Sequence, residues 1–454
     1  MKRVAVLSID GVPIDLWNRF MDEGLLPRFS AFSEACGSKA VRMRSVHPCE
    51  SATAWTSYAT GNNPGRHNIY GFTDRDLDGD GRMILNNAMR RTGSTIWSRL
   101  SESGKRAVAI NVPVNFPPEE VNGTIIGGFL APGIDGIVHP RSLEKELHRR
   151  GYKADPDNSL VRTDLEAWYQ DLVHTEEVRV RLGQDLFDEG GWDLFHLHIM
   201  GTDRLHHFLW EQHENKEQPW EEKFRSFYRK VDAWLGSFFD RDDGETLWVV
   251  LSDHGFCGIK SEVDINALLE REGLLLLGDH PFEFCRNVLP DSLCYSMLPG
   301  RIYINLQGRE PNGTVPVGDY HDVRERVRDA LMDMRTEHGC PLFKEVFRRE
   351  EIYRDASGEH SDGYLKGKPL GTSYEKAPDL LAWNEEGFDL KAGFSSGATP
   401  FRKEHINGMH TWHDALLWVS KGEVIADASI QDVAPAILSI LGVEGLGMDG
   451  NPSF

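Results

Sequence analysis

Apolar residues gather in short, nearly unbroken runs that end in small or acidic residues. VAVLSIDG (4–11), RAVAINVP (106–113), DLFHLHIM (193–200) and TLWVVLSDHG (246–255) all have this form. A run that is apolar on both faces predicts a strand buried on both sides, because a half-exposed strand would alternate. Between these runs, STIWSRLSESG (94–104) and EEKFRSFYRKVDAWLGSFFD (221–240) carry apolar positions at helical spacing. Strands alternating with helices predict an α/β fold: a mostly parallel central sheet with helices on both faces. Such sheets bind ligands just beyond the carboxyl ends of their strands, where Asp10 and Asp253 fall.

After Asp253 the pattern changes to a mixture of helix, short strands and loops, including RIYINLQGREPNGTV (301–315). A Gly/Pro/Lys-rich run at 363–377 predicts a long loop. Residues 1–258 and 375–454 are therefore expected to form a catalytic core, with 259–374 an inserted cap that selects the substrate. The core is expected to resume with DLLAWN (379–384) and to close with DALLWVSKG (414–422) and a helix at DVAPAILSILG (432–442).

With 454 residues, 40% hydrophobic and including 12 Trp, the chain can bury a large core. Its formal net charge of -21 argues against nucleic acid polymers or an anionic membrane as partners. An acidic enzyme still binds a small phosphorylated substrate where metal ions reverse the local field. The six cysteines include no CxxC pair, and the N-terminus runs directly into a strand. No apolar segment is long enough to span a membrane, so a soluble, cytoplasmic protein is expected.

Candidate chemistry lies in scattered segments. Asp10, Asp203, His207, Asp253, His254 and His410 are six oxygen and nitrogen donors, enough to hold two divalent cations. Two such cations about 4 Å apart clamp the attacking and leaving oxygens of an in-line displacement at phosphorus. The hydroxyl among them is Ser51, which precedes the helical stretch ATAWTSYATG. Coordination to a cation would turn it into a nucleophile, whereas taken alone it would be an ordinary helix cap. Asp203 and His207 stand four residues apart and share a helix face, with His206 as the rival; His196 and His198, inside a strand, are expected to be core residues.

Asp74, Asp76, Asp78 and Gly79 match the start of a calcium-binding loop, but its last position is Leu85 in place of a bidentate Glu. A solvated acidic turn is the expected outcome, with a structural calcium the alternative. Arg301, Arg309 and Lys366 are basic candidates for a substrate phosphate or carboxylate, or else surface charges.

Taken in order, VLSIDGV, SATAWTSYATGNNPGRHNIYGF, AINVPVNFPP, MGTDRLHHFLW, LSDHGF, INLQGREPNGTV, APDLLAW and GMHTWHDALL resemble the alkaline phosphatase superfamily. Within it, the chain resembles the type I phosphodiesterase and nucleotide pyrophosphatase branch, and in that branch its phosphohydrolase/phosphomutase-like group. The resemblance implies one metal held by Asp10, Asp253 and His254, which activates Ser51, and a second held by Asp203, His207 and His410. It implies zinc as the usual metal, manganese as the alternative, and a covalent phospho-enzyme hydrolysed by water.

Three departures bear on substrate. Ser51 stands where the diesterase branch usually carries Thr, and Phe72 where nucleotide pyrophosphatases carry a phosphate-binding Asn. Cys49 lacks the following Pro and Arg of sulfatases. The leading expectation is a two-metal phosphohydrolase of a small phosphate ester, mono- or diester. The alternatives are a phosphodiesterase, a phosphomutase, a phosphonate hydrolase, or a scaffold that binds a phosphorylated ligand without turnover.

Overall fold

The computed structural model describes residues 3–77, 81–278, 284–353, 376–404 and 406–454. It divides into two compact units: residues 1–63, 87–256 and 410–454, and residues 64–86 and 257–409.

The first unit is built on an eight-stranded sheet. Its order is Val41–Met43, Ala415–Val419, Thr246–Leu251, Arg3–Ile9, Leu194–Ile199, Ala107–Ile110, Gly123–Ile126 and Val138–His139. The five strands from Thr246–Leu251 to Gly123–Ile126 run parallel, and the outer ones are antiparallel. The predicted α/β architecture is thus the observed one. The strand Arg3–Ile9 shows why its sequence is apolar throughout. Ala5, Leu7 and Ile9 pack into one core with the helices Leu165–Asp188, Gly201–Glu214 and Trp220–Phe239. Val4 and Val6 point the other way, into a second core with the helices Ser51–Thr60, Ile96–Glu102 and Val433–Ile440. Side chains alternate between faces along a strand, so a sheet covered on both sides needs apolar residues at every position.

The second unit holds a four-stranded antiparallel sheet in the order Cys294–Met297, Arg301–Ile304, Leu380–Asn384 and Phe343–Arg348. A three-stranded sheet of Phe388–Lys391, Ser261–Asp264 and Phe401–Arg402 and the helix Tyr320–Asp333 also belong to it. DLLAWN does not resume the large sheet as expected from sequence. Leu380 and Leu381 pair with Ile302 and Arg301 on one side and with Arg348 and Phe347 on the other. A short apolar run fits any buried strand, and only its partners decide which sheet it joins. The run at 363–377 falls almost wholly outside the described residues.

Candidate metal and phosphate site

All seven candidate residues lie in the first unit, and the sheet topology brings them together. Asp10 follows the strand Arg3–Ile9, and its N–H still donates to Ile199 O at 3.0 Å, extending the ladder by one step. Asp253 and His254 follow the neighbouring strand Thr246–Leu251. Parallel neighbours end side by side, so residues 243 positions apart become one group. Asp10, Asp253 and His254 place one ligand atom each within 4.8 Å of one another, and all three are fully buried. Gly11 turns the chain away with φ +66, and its N–H donates to Asp253 Oδ1 at 3.1 Å. A Cβ there would stand 3.1 Å from both His254 Cε1 and the Phe256 ring, so conformation and space both favour glycine.

Ser51 begins the helix Ser51–Thr60, whose N-cap is Glu50. Ser51 is therefore the first helical residue and not the cap. Its hydroxyl points into the cluster instead, donating to Asp10 Oδ1 at 3.2 Å and lying 3.2 Å from His254 Nε2. Its position at a helix N-terminus adds the favourable end of the helix dipole for an anionic oxygen.

The second group combines a helix and a strand. Asp203 and His207 lie one turn apart on Gly201–Glu214, with His207 Nε2 3.4 Å from Asp203 Oδ1. His410, on a strand over 200 residues later, brings its Nε2 to 3.1 Å from Asp203 Oδ1 and 3.2 Å from His207 Nε2. His410 Nδ1 lies 3.1 Å from Cys49 O and donates its proton there, so Nε2 is the ring atom that faces Asp203 and His207. The two groups meet where the His254 and His410 rings stack at 3.7 Å between centroids. His206 belongs to neither: Nδ1 lies 2.9 Å from Gly11 O and Nε2 2.8 Å from Tyr228 Oη, so both ring nitrogens are used in packing.

Electrostatics makes this arrangement costly without cations. Burial pushes Asp253 well above the usual carboxylate range, and the charge of Asp10 pushes it further. Burial would raise Asp203 as well, but the charge and hydrogen bonds of His207 and His410, with Arg204, hold it well below. Burial and neighbouring His410 push His254 down to about 3. Asp253 Oδ2 is buried and receives no hydrogen bond, with His254 Nε2 3.3 Å away. Packed carboxylates, a His254 imidazole that burial keeps neutral and an unsatisfied carboxylate oxygen fit a divalent cation, whose charge relieves these conflicts. The donor set, mixed oxygen and nitrogen, suits zinc or manganese.

The other sequence candidates end elsewhere. Arg309 is consumed by ion pairs with Asp379 and Glu310. Arg301 is fully buried, where its guanidinium donates to Leu298 O and Thr73 O. Both are structural side chains of the second unit. Asp74 is buried with Oδ1 accepting from Arg75 N at 2.8 Å, and Asp76 pairs with Arg82 at 3.5 Å. Asp78, Gly79 and Lys366 lie outside the described residues.

Sequence reasoning missed the residues behind the ligands. Trp55 Nε1 donates to Asp10 Oδ2 at 2.8 Å, and His198 Nε2 lies 3.2 Å from the same oxygen. Arg204 Nη1 donates to Asp203 Oδ2 at 2.8 Å while its Nε faces Asp155 at 3.0 Å. The parallel register places Ser8 beside His198. The signal available was a polar side chain in an otherwise apolar strand, one step before the ligand-bearing end.

The sequence match that covers both of these groups is to a family of hydrolases acting on phosphate esters. The chain is a member of the type I phosphodiesterase / nucleotide pyrophosphatase family, which it matches over residues 4–413. No curated protein matches the sequence. Among solved structures, the fold is similar to that of murine ectonucleotide pyrophosphatase / phosphodiesterase 5, with 14% identity, 99% of this chain and 97% of that chain covered, and a TM-score of 0.55. It is also similar to phosphonoacetate hydrolase from Sinorhizobium meliloti 1021 in complex with phosphonoacetate, with 15% identity, 96% and 95% covered, and a TM-score of 0.64. At such identities the likeness speaks for the fold.

Proposed function

We propose that the protein is a two-metal-dependent phosphohydrolase that cleaves a small phosphate ester through a phospho-Ser51 intermediate. The observation that carries this reading is the Ser51 hydroxyl at 3.2 Å from both Asp10 Oδ1 and His254 Nε2, beside a second three-ligand group. Asp10, Asp253 and His254 would hold one cation, and Asp203, His207 and His410 the other. When bound, the cations, zinc or manganese, would lower the pKa of the Ser51 hydroxyl and neutralise charge on the phosphoryl oxygens.

Ser51 Oγ attacks phosphorus, and the bond from phosphorus to the leaving oxygen breaks in line on the opposite side. The leaving oxygen departs with a proton, balancing the one that the Ser51 hydroxyl gives up as the P–Oγ bond forms. Water then attacks the phosphoserine, the P–Oγ bond breaks, and inorganic phosphate or a phosphomonoester leaves while Ser51 regains its proton. Asp10 and His254 keep Oγ aimed at the incoming phosphate, and Gly11 N fixes Asp253. Substrate choice is assigned, in the same proposal, to the inserted residues 259–374. The six cysteines are sparse for the chain's length and include no CxxC pair, which supports a reducing, cytoplasmic compartment. Among the described residues no helix is long and apolar enough to cross a membrane.

The test is initial rates on p-nitrophenyl phosphate and bis-p-nitrophenyl phosphate after metal stripping and re-addition of Zn²⁺ or Mn²⁺. Metal-restored hydrolysis together with a trapped phospho-Ser51 supports the proposal. Preference for the monoester makes the protein a phosphatase or mutase, and preference for the diester a phosphodiesterase. Absence of both turnover and labelling with either metal overturns it in favour of a binding scaffold.

A further inference from the structure

Behind Asp10 lies a buried chain of polar side chains that the reaction does not consume. Ser8, His196 and His198 are fully buried, on adjacent parallel strands. Ser8 Oγ lies 2.8 Å from His196 Nε2 and 2.9 Å from His198 Nδ1. His198 Nε2 lies 3.2 Å from Asp10 Oδ2. Three polar residues in a strand core are costly unless each makes its hydrogen bonds, so their order carries information.

A serine hydroxyl has one hydrogen, so it donates to one imidazole and accepts from the other. Two arrangements are possible for neutral rings. In one, His198 Nδ1–H donates to Ser8 and Ser8 donates to His196. That leaves the His196 Nδ1–H, which has no partner, as a buried orphan donor. It also turns a His198 Nε2 lone pair toward a carboxylate 3.2 Å away. In the other, His196 Nε2–H donates to Ser8, Ser8 donates to His198 Nδ1, and His198 Nε2–H faces Asp10 Oδ2. A lone pair on His196 Nδ1 then goes unpartnered and the His198 N–H points at the carboxylate off the line of a full hydrogen bond, which costs less than an orphan N–H together with lone-pair repulsion.

We infer that Ser8, His196 and His198 form a one-way hydrogen-bond relay that, with Trp55, occupies Asp10 Oδ2 and reserves Asp10 Oδ1 for the cation and Ser51. This rests on the proposed function for the identity of the ligand, but not for the direction of the relay. His198 and Ser8 are positioning residues: they act through Asp10 and touch neither substrate nor cation. The relay makes Asp10 a one-oxygen ligand, because rotation of its carboxylate would break the bond from Trp55 Nε1 at 2.8 Å and lose the 3.2 Å contact with His198 Nε2.

Two measurements on the full chain test the inference. Long-range ¹H–¹⁵N correlation on histidine-labelled, metal-stripped protein, with His198 assigned by its loss in His198→Gln, reads the tautomers directly. Nε2–H on both His196 and His198 is expected, and Nδ1–H on His198 overturns the relay. Chelator competition with Zn²⁺ then follows uptake. In His198→Leu one of two cation equivalents should weaken about 10–100-fold while the other is unchanged, as for loss of an outer-sphere partner. His198→Gln, which retains an N–H donor, should recover most of that loss, and Ser8→Ala should weaken the same equivalent less. Unchanged Zn²⁺ affinity in a folded His198→Leu, with Ser8→Ala also unchanged, overturns the positioning role. A wild-type protein that takes up no cation sinks the proposed function, and the tautomers still decide the relay.

Discussion

The two ligand groups of the first unit differ in what holds them. The group of Asp10, Asp253 and His254 sits on strand ends, with no exposed ligand, and its first carboxylate is backed by an indole and an imidazole. The group of Asp203, His207 and His410 hangs on a helical turn and a distant strand. Its two imidazole side chains keep 20% and 17% of their exposure, and its carboxylate is backed by a guanidinium that Asp155 shares. A cation between strand ends inherits the rigidity of the sheet. One held by a helix and a separate strand depends on side chains that solvent can reach. On the proposed function, the rigid group is the one that carries Ser51, the proposed nucleophile, and the more open group lies beside it.

The sharpest way to break this comparison is at the nucleophile. Ser51→Ala should lower turnover at least about a thousandfold, since it removes the one hydroxyl of the fixed group, whose carboxylates and imidazole are assigned to the cation. Cation content should stay at two equivalents, because six other ligands remain. Loss of both cations by elemental analysis would mean that Ser51 had been given the wrong role. Next in size is Asp253→Asn, which removes a carboxylate from the group that holds Ser51. It should empty that group of its cation and lower activity by more than the roughly 10–100-fold typical of an outer partner. Retention of both equivalents would show that the strand-end group does not depend on Asp253.

His207→Ala and His206→Ala then separate adjacent residues with opposite duties. His207→Ala should release one cation equivalent and spare the fold. His206→Ala should keep both equivalents and lower thermal stability by about 1–3 kcal/mol, because Gly11 O and Tyr228 Oη lose their buried partner. The reverse pattern in metal analysis would exchange the two histidines.

How much of this was legible beforehand follows the same division. Asp10, Asp253 and His254 announce themselves because each ends an apolar run, and strand ends of parallel sheets converge. Helical spacing puts both His206 and His207 within reach of Asp203; the sequence favours His207, four residues on, with His206 as the rival. The structure resolves the packing partners: His206 faces Gly11 and Tyr228, and His207 faces His410. His410 has no local signature, and its place rested on family resemblance. His198 reads from sequence as a core histidine, and it is fully buried. Its reach to Asp10 depends on strand register, which pairwise hydrogen bonding sets and one sequence does not encode. DLLAWN went astray for the same reason, because an apolar pentamer does not specify its neighbour. Arg309 shows the remaining gap, since its partner Asp379 lies 70 residues away.

That pair supplies the smallest expected effect on the site and the cleanest control for the comparison. Asp379 is fully buried in the second unit. It accepts from Arg309 Nη1 at 2.8 Å, Tyr320 Oη at 2.7 Å and Ile304 N at 2.7 Å, with Arg349 at 3.4 Å. Burial would raise its pKa, but the two arginines and the Tyr320 hydrogen bond overcome that and hold the carboxyl well below its ordinary value of 3.8. A carboxyl depressed on folding stabilises the folded chain fully above its unfolded pKa and loses that contribution as pH falls through the folded one. The second unit should therefore be insensitive to pH from 7 down to about 5 through this group, and weaken below about 4. Asp379→Asn should remove on the order of 3 kcal/mol at neutral pH and flatten the acid limb of the stability curve. Cation content should remain two equivalents, since every ligand lies in the first unit. An acid limb of unchanged steepness in Asp379→Asn would mean that other carboxyls carry the acid sensitivity. A lost cation would mean that the two units are energetically coupled and that the ligand groups do not stand on the sheet alone.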